Sequence, residues 1–196
     1  MKFTDPDLAE LDRIWPLGQQ LVVPENGLIF VAGAYKGRYC SYLSERFPTA
    51  KIHGFEPQTE ALLEARKRTQ HLRNVFINDF GLGVRDGAIY FGEVGTDGCS
   101  VFATSGERRA MRLLNIRSIF DTTIDLFVMN MEGYEYVLLP HILTSGLHKR
   151  IKSLAVQFHP QLFDFGDGTW MAGAITDVYG KPLYIDWPSW MYWRKS

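Results

Sequence analysis

The sequence predicts a doubly wound α/β fold, in which a mostly parallel sheet carries helices on both faces. Strand-like and helix-like segments alternate over most of the 196 residues, a pattern typical of parallel sheets with crossover helices. An apolar strand at 28–32 runs directly into a turn with two glycines and then into a helical pattern. The segment Asp125 to Met131 is a near-continuous apolar run, as expected for a central strand that is covered on both faces.

Length and charge limit the classes of protein to consider. A chain with 46% hydrophobic residues can bury a full core, and its length predicts a single domain over 1–196. The formal net charge of -1 gives no long-range attraction for polyanions. The basic clusters at 66–68, 108–109 and 148–150 are short. We therefore expect no nucleic-acid partner.

The sequence shows no usual signal for secretion or membrane insertion. Residues 1–10 contain no apolar core of a signal peptide. The longest apolar stretch, from Leu21 to Ala34, is too short to span a bilayer. Cys40 and Cys99 have neither a C-x-x-C nor a Cys/His metal spacing. We expect reduced thiols in a cytoplasmic protein with no membrane partner and no metal, and a homo-oligomer is left open.

The first predicted elements lead up to the glycine turn. A leading helix lies within 1–24, where Asp5 is a suitable N-cap before a first-turn proline and apolar residues recur at 8, 11, 14 and 15. It ends near Pro16 to Gly18 and packs on the sheet. Leu28 to Ala32 is the first strand. Apolar residues at 39, 43 and 47 then predict a helix that ends before Pro48.

Two further strand and helix units follow. Lys51 to Phe55 is a second strand that ends at Glu56, and Thr59 to Gln70 is rich in good helix formers. Asn74 to Ile77 is a third strand, which leads to a glycine-marked turn at 81–83. These units continue the alternation that a doubly wound sheet requires.

Residues 88–117 are expected to form an inserted hairpin beside the site. Ala88 to Val94 alternates well enough for a strand, and Cys99 to Ala103 is its expected partner across the turn at 95–98. The stretch Gly95 to Arg117 is either a lid that folds over a cofactor or an ordinary mobile loop.

The remaining elements complete the sheet. A helical stretch interrupted at Pro140 follows the apolar run that ends at Met131, and Leu154 to Phe158 is another buried strand. Residues 182–194 are expected to form a C-terminal hairpin of Pro182 to Trp187 and Trp190 to Arg194. Its second strand would run antiparallel to the rest.

Functional residues should lie outside the carboxyl ends of the strands, where doubly wound sheets bind ligands. Gly33 and Gly37 either leave room for the backbone to approach a ligand or serve only the conformation of the turn. The following helix presents free N–H groups to a carboxylate or a phosphate. Glu56 ends the second strand, where a carboxylate can accept both hydroxyls of a ribose or cap the next helix. Asp79 ends the third, where it either accepts from an adenine amino group or forms a turn.

The residues resemble a known family at this point. The runs that carry the resemblance are Val31-Ala32-Gly33-Ala34-Tyr35-Lys36-Gly37, Gly54-Phe55-Glu56-Pro57, Asp79-Phe80-Gly81-Leu82-Gly83 and Ile124-Asp125-Leu126-Phe127-Val128-Met129-Asn130-Met131-Glu132-Gly133-Tyr134-Glu135. Their order and spacing over 27–160 resemble the FkbM-type S-adenosylmethionine-dependent methyltransferases. The resemblance implies a Rossmann-like sheet of seven strands with an antiparallel last strand. It also implies methyl transfer to a hydroxyl of a sugar or small natural product.

The resemblance further implies a set of cofactor-binding residues. They are Gly33, Ala34, Tyr35, Gly37, Glu56, Asp79, Phe80 and Asn130. The family usually carries Asp where Val31 stands, Asn where Tyr35 stands, and Lys-Ile-Asp where 128–130 stands. We hypothesise that Val31 against Val128 replaces a buried ion pair, a change that can be neutral or stabilising. Because Asn130 stands in place of the family's Asp, a carboxylate is missing from the expected site of methyl transfer.

Methyl transfer needs an aligned nucleophile and one base for a hydroxyl proton. His159 is the first candidate base, because its ordinary pKa suits the task, although a strand-end histidine can equally bond to backbone. Glu132 either orients the acceptor hydroxyl, meets the cofactor's amino group or caps the next helix. Asn130 completes the candidate catalytic set.

Two other functions stay open. Val31, Val128 and Asn130 are compatible with a catalytically degenerate module that still binds a nucleoside. A nicotinamide-dependent oxidoreductase is disfavoured, because the glycines do not follow the Gly-x-Gly-x-x-Gly spacing. Five aromatic residues near the carboxyl-terminal end either stack on an acceptor or belong to a core or interface; they are Trp170, Trp187, Trp190, Tyr192 and Trp193.

Overall fold

A seven-stranded sheet and a second, three-stranded sheet organise the protein. The computed structural model describes residues 5–92, 100, 108–119, 121–159, 169–186 and 189–195. The α-helices are α1 (Pro6–Ile14), α2 (Leu17–Gln20), α3 (Arg38–Arg46), α4 (Thr59–Thr69), α5 (Glu135–Thr144) and α6 (Thr169–Tyr179). The strands are β1 (Leu28–Ala32), β2 (Lys51–Phe55), β3 (Val75–Asn78), β4 (Gly81–Gly83), β5 (Gly87–Phe91), β6 (Arg109–Asn115), β7 (Ile124–Met129), β8 (Ile151–Gln157), β9 (Tyr184–Asp186) and β10 (Trp190–Arg194).

The main sheet has the order β3-β2-β1-β7-β8-β10-β9. Its first five strands pair in parallel, and β10 runs antiparallel to both β8 and β9. The predicted doubly wound sheet and its antiparallel C-terminal hairpin are therefore confirmed. All six residues of β7 are buried, as the continuous apolar run indicated for a central strand.

Helices cover both faces of this sheet. On one face, Leu11 of α1 and Leu43 of α3 belong to the same core cluster as Val31. On the other face, Leu139 of α5 and Ile175 of α6 belong to the cluster around the central strand β7. The sequence analysis did not predict the helix α6, although its buried positions recur at helical spacing.

The leading helix begins as predicted. The Asp5 side chain accepts a hydrogen bond from the backbone N–H of Asp7 at 2.8 Å, and Pro6 occupies the first turn. Both features satisfy or remove donors that a helix start would otherwise leave open. After α1 ends at Ile14, the chain forms the short helix α2 instead of a simple break at 16–18.

The second sheet corrects the predicted insertion. Its order is β4-β6-β5, and Ile89 of β5 lies opposite Met111 of β6. The predicted partner, Cys99 to Ala103, lies outside the described residues except for Ser100, which bridges Gly92. The second half of the predicted lid or loop is strand β6, followed by a 3-10 helix at 116–119.

The predicted glycine turn at 81–83 is strand β4, which pairs in parallel with β6. A Cβ atom at Gly81 would lie 2.6 Å from the Leu113 side chain, and one at Gly83 would lie 3.0 Å from it. The glycines therefore allow a close approach of β6, whereas the pattern alone favoured a turn.

The predicted interruption at Pro140 is also wrong. Pro140 lies inside α5, which continues to Thr144. A proline inside a helix removes one hydrogen bond. Leu138, Leu139 and Ile142 are all nearly fully buried in the same helix, and their packing holds it in place. None of the described helices combines the length and apolar character that crossing a bilayer requires.

Candidate functional site

A cavity of about 440 Å³ lies at the carboxyl ends of β1, β2 and β7. Its size falls in the range of small-molecule sites. Six predicted site residues line it, namely Gly33, Ala34, Tyr35, Glu56, Asn130 and Glu132. Four others do not, namely Gly37, Asp79, Phe80 and His159. The strand topology thus brings together side chains that are far apart in the sequence.

The glycine turn is held by its neighbours. Gly33 and Gly37 have φ values of 77° and 79°, a region that favours glycine. A Cβ atom at Gly33 would lie 1.7 Å from the backbone oxygen of Asn130, and one at Gly37 would lie 3.1 Å from Ala65. The room at both glycines, which the sequence analysis assigned to a ligand, is therefore taken by the protein's own chain.

Glu56 ties the turn to the end of β2. Its Oε2 accepts the backbone N–H of Tyr35 at 2.7 Å, and its Oε1 accepts that of Gln58 at 2.8 Å. Burial raises the pKa of Glu56 to about 7, although both hydrogen bonds oppose the shift. Each oxygen retains a second lone pair, so the carboxylate can still accept a hydroxyl from the cavity side.

Backbone strain is concentrated at the cavity. Among the described residues, three that are not glycine have positive φ: Asn26, Tyr35 at 46° and Glu132 at 48°. The latter two both line the cavity. Such conformations are costly and cluster at ligand sites, which agrees with a functional role for this region.

Asn130 supplies an acceptor without a partner. Its backbone N–H donates to Ala32 at 2.9 Å and extends the pairing of β7 with β1. Its side-chain Oδ1 is buried and makes no hydrogen bond. Leaving a buried acceptor unpaired costs free energy, so a ligand with an N–H donor would be stabilised here. This fits the amino group of an amino-acid ligand.

Asp79 and Phe80 lie outside the cavity. The Asp79 side chain is 56% exposed, and its oxygens are 3.8 Å from Arg66 and 4.0 Å from Arg112. The Phe80 ring packs against Phe55, with 5.7 Å between centroids. Phe55 itself lines the cavity, so Phe80 packs against a lining residue without lining the cavity itself. An adenine contact by Asp79 would need a different side-chain position.

His159 is buried between two carboxylates. Its Nδ1 lies 2.8 Å from Glu135 Oε1, and its Nε2 lies 3.4 Å from Glu132 Oε1. Burial alone would lower the pKa of His159. The hydrogen bonds and charges of Glu132 and Glu135 together outweigh burial and raise that pKa to about 9. The arrangement favours an imidazolium, which is a poor base at neutral pH.

The sequence analysis assigned no role to Glu135. The side chain is fully buried, and its Oε2 also accepts the backbone N–H of Gly133 at 3.0 Å. Its position at the start of α5 resembles that of any acidic residue in a first helical turn. What distinguishes Glu135 is its complete burial, and burial cannot be read from the sequence.

An aromatic cluster forms one end of the cavity. The Trp15 ring lies 4.7 Å from that of Tyr39 and 5.2 Å from that of Trp190. All three residues line the cavity. Of the other aromatic candidates, Trp193 and Tyr192 are fully buried core residues, and Trp170 is 54% exposed elsewhere. Trp187 lies outside the described residues.

The leading helix α1 closes this end by ion pairs. Arg38 Nε lies 3.0 Å from Asp7 Oδ1, and Arg68 Nη1 lies 2.6 Å from Asp7 Oδ2. These three residues line the cavity together with Leu11 of α1. The helix was predicted to pack on the sheet, and it additionally covers the site.

The second sheet contributes apolar side chains to the lining of the cavity. They are those of Leu82 of β4, Phe91 of β5, and Met111 and Leu113 of β6. They belong to the same core cluster as Phe55. The lining therefore combines apolar, polar and aromatic side chains. A nucleoside joined to an amino acid combines a flat base, hydroxyls and an ammonium group, which such a lining can contact.

No protein-family model matches the sequence, and no curated protein matches it. Several solved structures share its fold. A chain of the fibrillarin/Nop5p complex superposes with a TM-score of 0.58 at 10% identity, covering 98% of this chain and 87% of that chain. A Streptococcus mutans protein described as a methyltransferase, in complex with S-adenosylhomocysteine, gives 0.52 at 16% identity and covers 99% of both chains.

An rRNA methylase from Streptococcus thermophilus also matches, with a TM-score of 0.52, 12% identity and 98% of both chains covered. At these identities the likeness shows the fold alone. The sheet order, the antiparallel β10 and these neighbours all indicate the same fold. The chain therefore has the Rossmann-like fold of the S-adenosylmethionine-dependent class I methyltransferases.

Proposed function

We propose that the protein is an S-adenosylmethionine-dependent methyltransferase. The observation that carries the proposal is the meeting of the strained turn at 33–37, Glu56 and the unpaired Oδ1 of Asn130 in one cavity at the strand ends. When bound, the cofactor supplies an electrophilic methyl group. In this proposal Glu56 accepts ribose hydroxyls and Asn130 accepts from the amino group. Gly33, Ala34, Tyr35 and Gly37 shape the turn that contacts the amino-acid portion.

We infer that the acceptor is a small molecule with a hydroxyl group, such as a sugar or a natural product. The FkbM-type motifs support this, as does the cavity of about 440 Å³, which residues of α1 and of the second sheet line together with the strand ends. The structural neighbours include an rRNA methylase, so the fold itself does not favour small acceptors over nucleic acids. Cys40 is a buried free thiol, which suits the proposed cytoplasmic location.

Titration calorimetry with S-adenosylhomocysteine tests the proposal. We expect binding by the unmodified protein, and at least about tenfold weaker binding by Glu56→Ala and Asn130→Ala, because each removes at least one polar contact with the cofactor. Glu60→Gln is the matched control, since Glu60 pairs with Arg109 and does not line the cavity. Absence of binding, or full binding by both alanine variants, would contradict the assignment of this site.

A catalytically degenerate binding module is the second candidate. The fully buried Val31 and Val128, together with Asn130, favour it, because all three replace ionisable residues of the resembling family. A screen of small hydroxylated acceptors with radiolabelled S-adenosylmethionine separates the two functions. Transfer that is lost in Asn130→Ala supports the enzyme, whereas cofactor binding without transfer to any acceptor supports the module.

A further inference from the structure

The cluster of Glu132, Glu135 and His159, called the acidic cluster below, connects two strand ends to the cavity. Glu135 Oε1 accepts the backbone N–H of His159 at 3.0 Å and lies 2.8 Å from its Nδ1. The Nε2 atom of the same ring faces Glu132 Oε1. Glu135 is fully buried and His159 nearly so. Of the three residues, Glu132 is the one that lines the cavity.

We propose that Glu132 accepts the proton of the reacting group, and that Glu135 is a positioning residue. Glu135 fixes the ring of His159 so that its Nε2 donates a hydrogen bond to Glu132. The inference rests on the proposed methyltransferase function. The acceptor's O–H bond breaks and its proton passes to the Glu132 carboxylate. The oxygen bonds to the methyl group as the methyl–sulfur bond of S-adenosylmethionine breaks, and S-adenosylhomocysteine is the leaving group. Glu132 then returns the proton to water. His159 stays protonated throughout and moves no proton.

The geometry explains this division of roles. Both ring nitrogens of His159 face carboxylate oxygens, so neither is available to a molecule in the cavity. Glu132 is held in a strained left-handed backbone conformation, in which its side chain is 26% exposed. Among the described residues, Tyr39 is a further titratable group whose pKa the charge of Glu132 affects. Burial raises the pKa of Tyr39 to about 12, with a smaller contribution from Glu132, so it stays protonated.

The charges around the cavity also select the class of acceptor. The acidic cluster contains two carboxylates and one imidazolium, and Asp186 adds a further negative charge to the lining. The cations of the lining are paired: Arg68 with Asp7, Arg38 with Asp7 and Glu10, and Lys36 with Glu64. An anionic acceptor would meet repulsion at Glu132. The acceptor is therefore an uncharged or cationic molecule whose reacting group donates a hydrogen bond.

NMR titration of the histidine side chains tests the positioning role without any cofactor. We expect His159 to titrate near pH 9 in the unmodified protein, and about one pH unit lower or more in Glu135→Gln, because the variant loses one negative charge. Glu132→Gln is a second variant in case Glu135→Gln does not fold. A His159 that titrates near 6.5, or is unaffected by both variants, overturns the proposal.

Two small probes test the charge preference. In the presence of S-adenosylhomocysteine, saturation transfer from the protein should reach benzyl alcohol more strongly than benzoate. Glu132→Gln should reduce that difference, because it removes the charge that repels benzoate. A signal from benzoate equal to or stronger than that from benzyl alcohol overturns the inference about the acceptor. The titration readout needs no ligand, so the positioning role can hold even where the proposed methyltransferase function fails.

Discussion

Val31 and Val128 lie directly opposite each other on β1 and β7, and both are fully buried. The sequence analysis placed them on adjacent strands, and the observed register confirms that placement. They belong to the core cluster that packs under α1 and α3. Two valines at this contact keep the central pair of strands free of buried charge, which is costly unless paired.

A single charge at this contact should destabilise the protein. We expect Val31→Asp to lower the free energy of unfolding by about 3–5 kcal/mol, because the carboxylate would be buried without a partner. Val31→Ala is the size control and should cost less. Chemical denaturation measures both. If Val31→Asp is no less stable than Val31→Ala, our account of the contact is wrong.

Adding Lys at position 128 tests the ion-pair hypothesis itself. The double variant Val31→Asp with Val128→Lys should recover about 1 kcal/mol or more relative to the sum of the two single changes. The double-mutant cycle uses the same denaturation measurements. Additive effects would show that the two side chains do not interact as a pair.

The turn at Gly33 should tolerate no side chain. In Gly33→Ala the new Cβ atom would overlap the backbone oxygen of Asn130. We expect a loss of about 2 kcal/mol or more in stability and weakened binding of S-adenosylhomocysteine. Gly180→Ala is the matched control, since its φ is 82° and nothing lies within 4 Å of its added Cβ. Equal losses in the two variants would argue against the close contact.

Cofactor affinity should depend on the ionisation of Glu56. Its pKa is raised to about 7, so about a tenth of the protein carries the carboxylate at pH 6. Because the ionised form accepts two hydroxyls, affinity for S-adenosylhomocysteine should fall about tenfold from pH 8 to pH 6. Calorimetry at both pH values measures the change. In Glu56→Gln the affinity should be weaker and lose this dependence.

Stability should fall as the pH rises through the titration of His159. The folded protein binds this proton more tightly than the unfolded chain, because the folded pKa is about 9 and the ordinary value is 6.5. The resulting stabilisation is fully present below pH 6.5 and is lost by about pH 9, a change of about 3 kcal/mol at most. Denaturation at pH 7 and 9 measures it, and His159→Gln should flatten the dependence.

Much of the main sheet could be predicted because its signals are local. The bounds of β1 and β2 agree with the predicted segments, since β1 is a short apolar run that ends at a glycine turn and β2 ends directly before Glu56 and Pro57. The strand β4 could not be predicted in the same way. Its two glycines form a strand because Leu113, thirty residues along the chain, packs against them. A long-range contact decided the structure there.

The site shows the same division between local and distant information. The position of Glu56 and Asn130 in the cavity lining could be predicted because a strand end is recognisable in the sequence. The role of His159 was predicted from its ordinary pKa, whereas its protonation depends on two carboxylates placed by another strand and helix. The covering of the cavity by α1 likewise follows from ion pairs between residues far apart in the sequence.

The position of β10 between β8 and β9 has a consequence for how the sheet is completed during synthesis. The chain produces β9 before the strand that joins it to the others, so β9 has no neighbour until β10 has emerged. During that interval β8 is an edge strand with unpaired backbone N–H and C=O groups, and such strands can pair with other chains. A product cut short after residue 189 would keep that edge permanently open. Such a product should form insoluble aggregates.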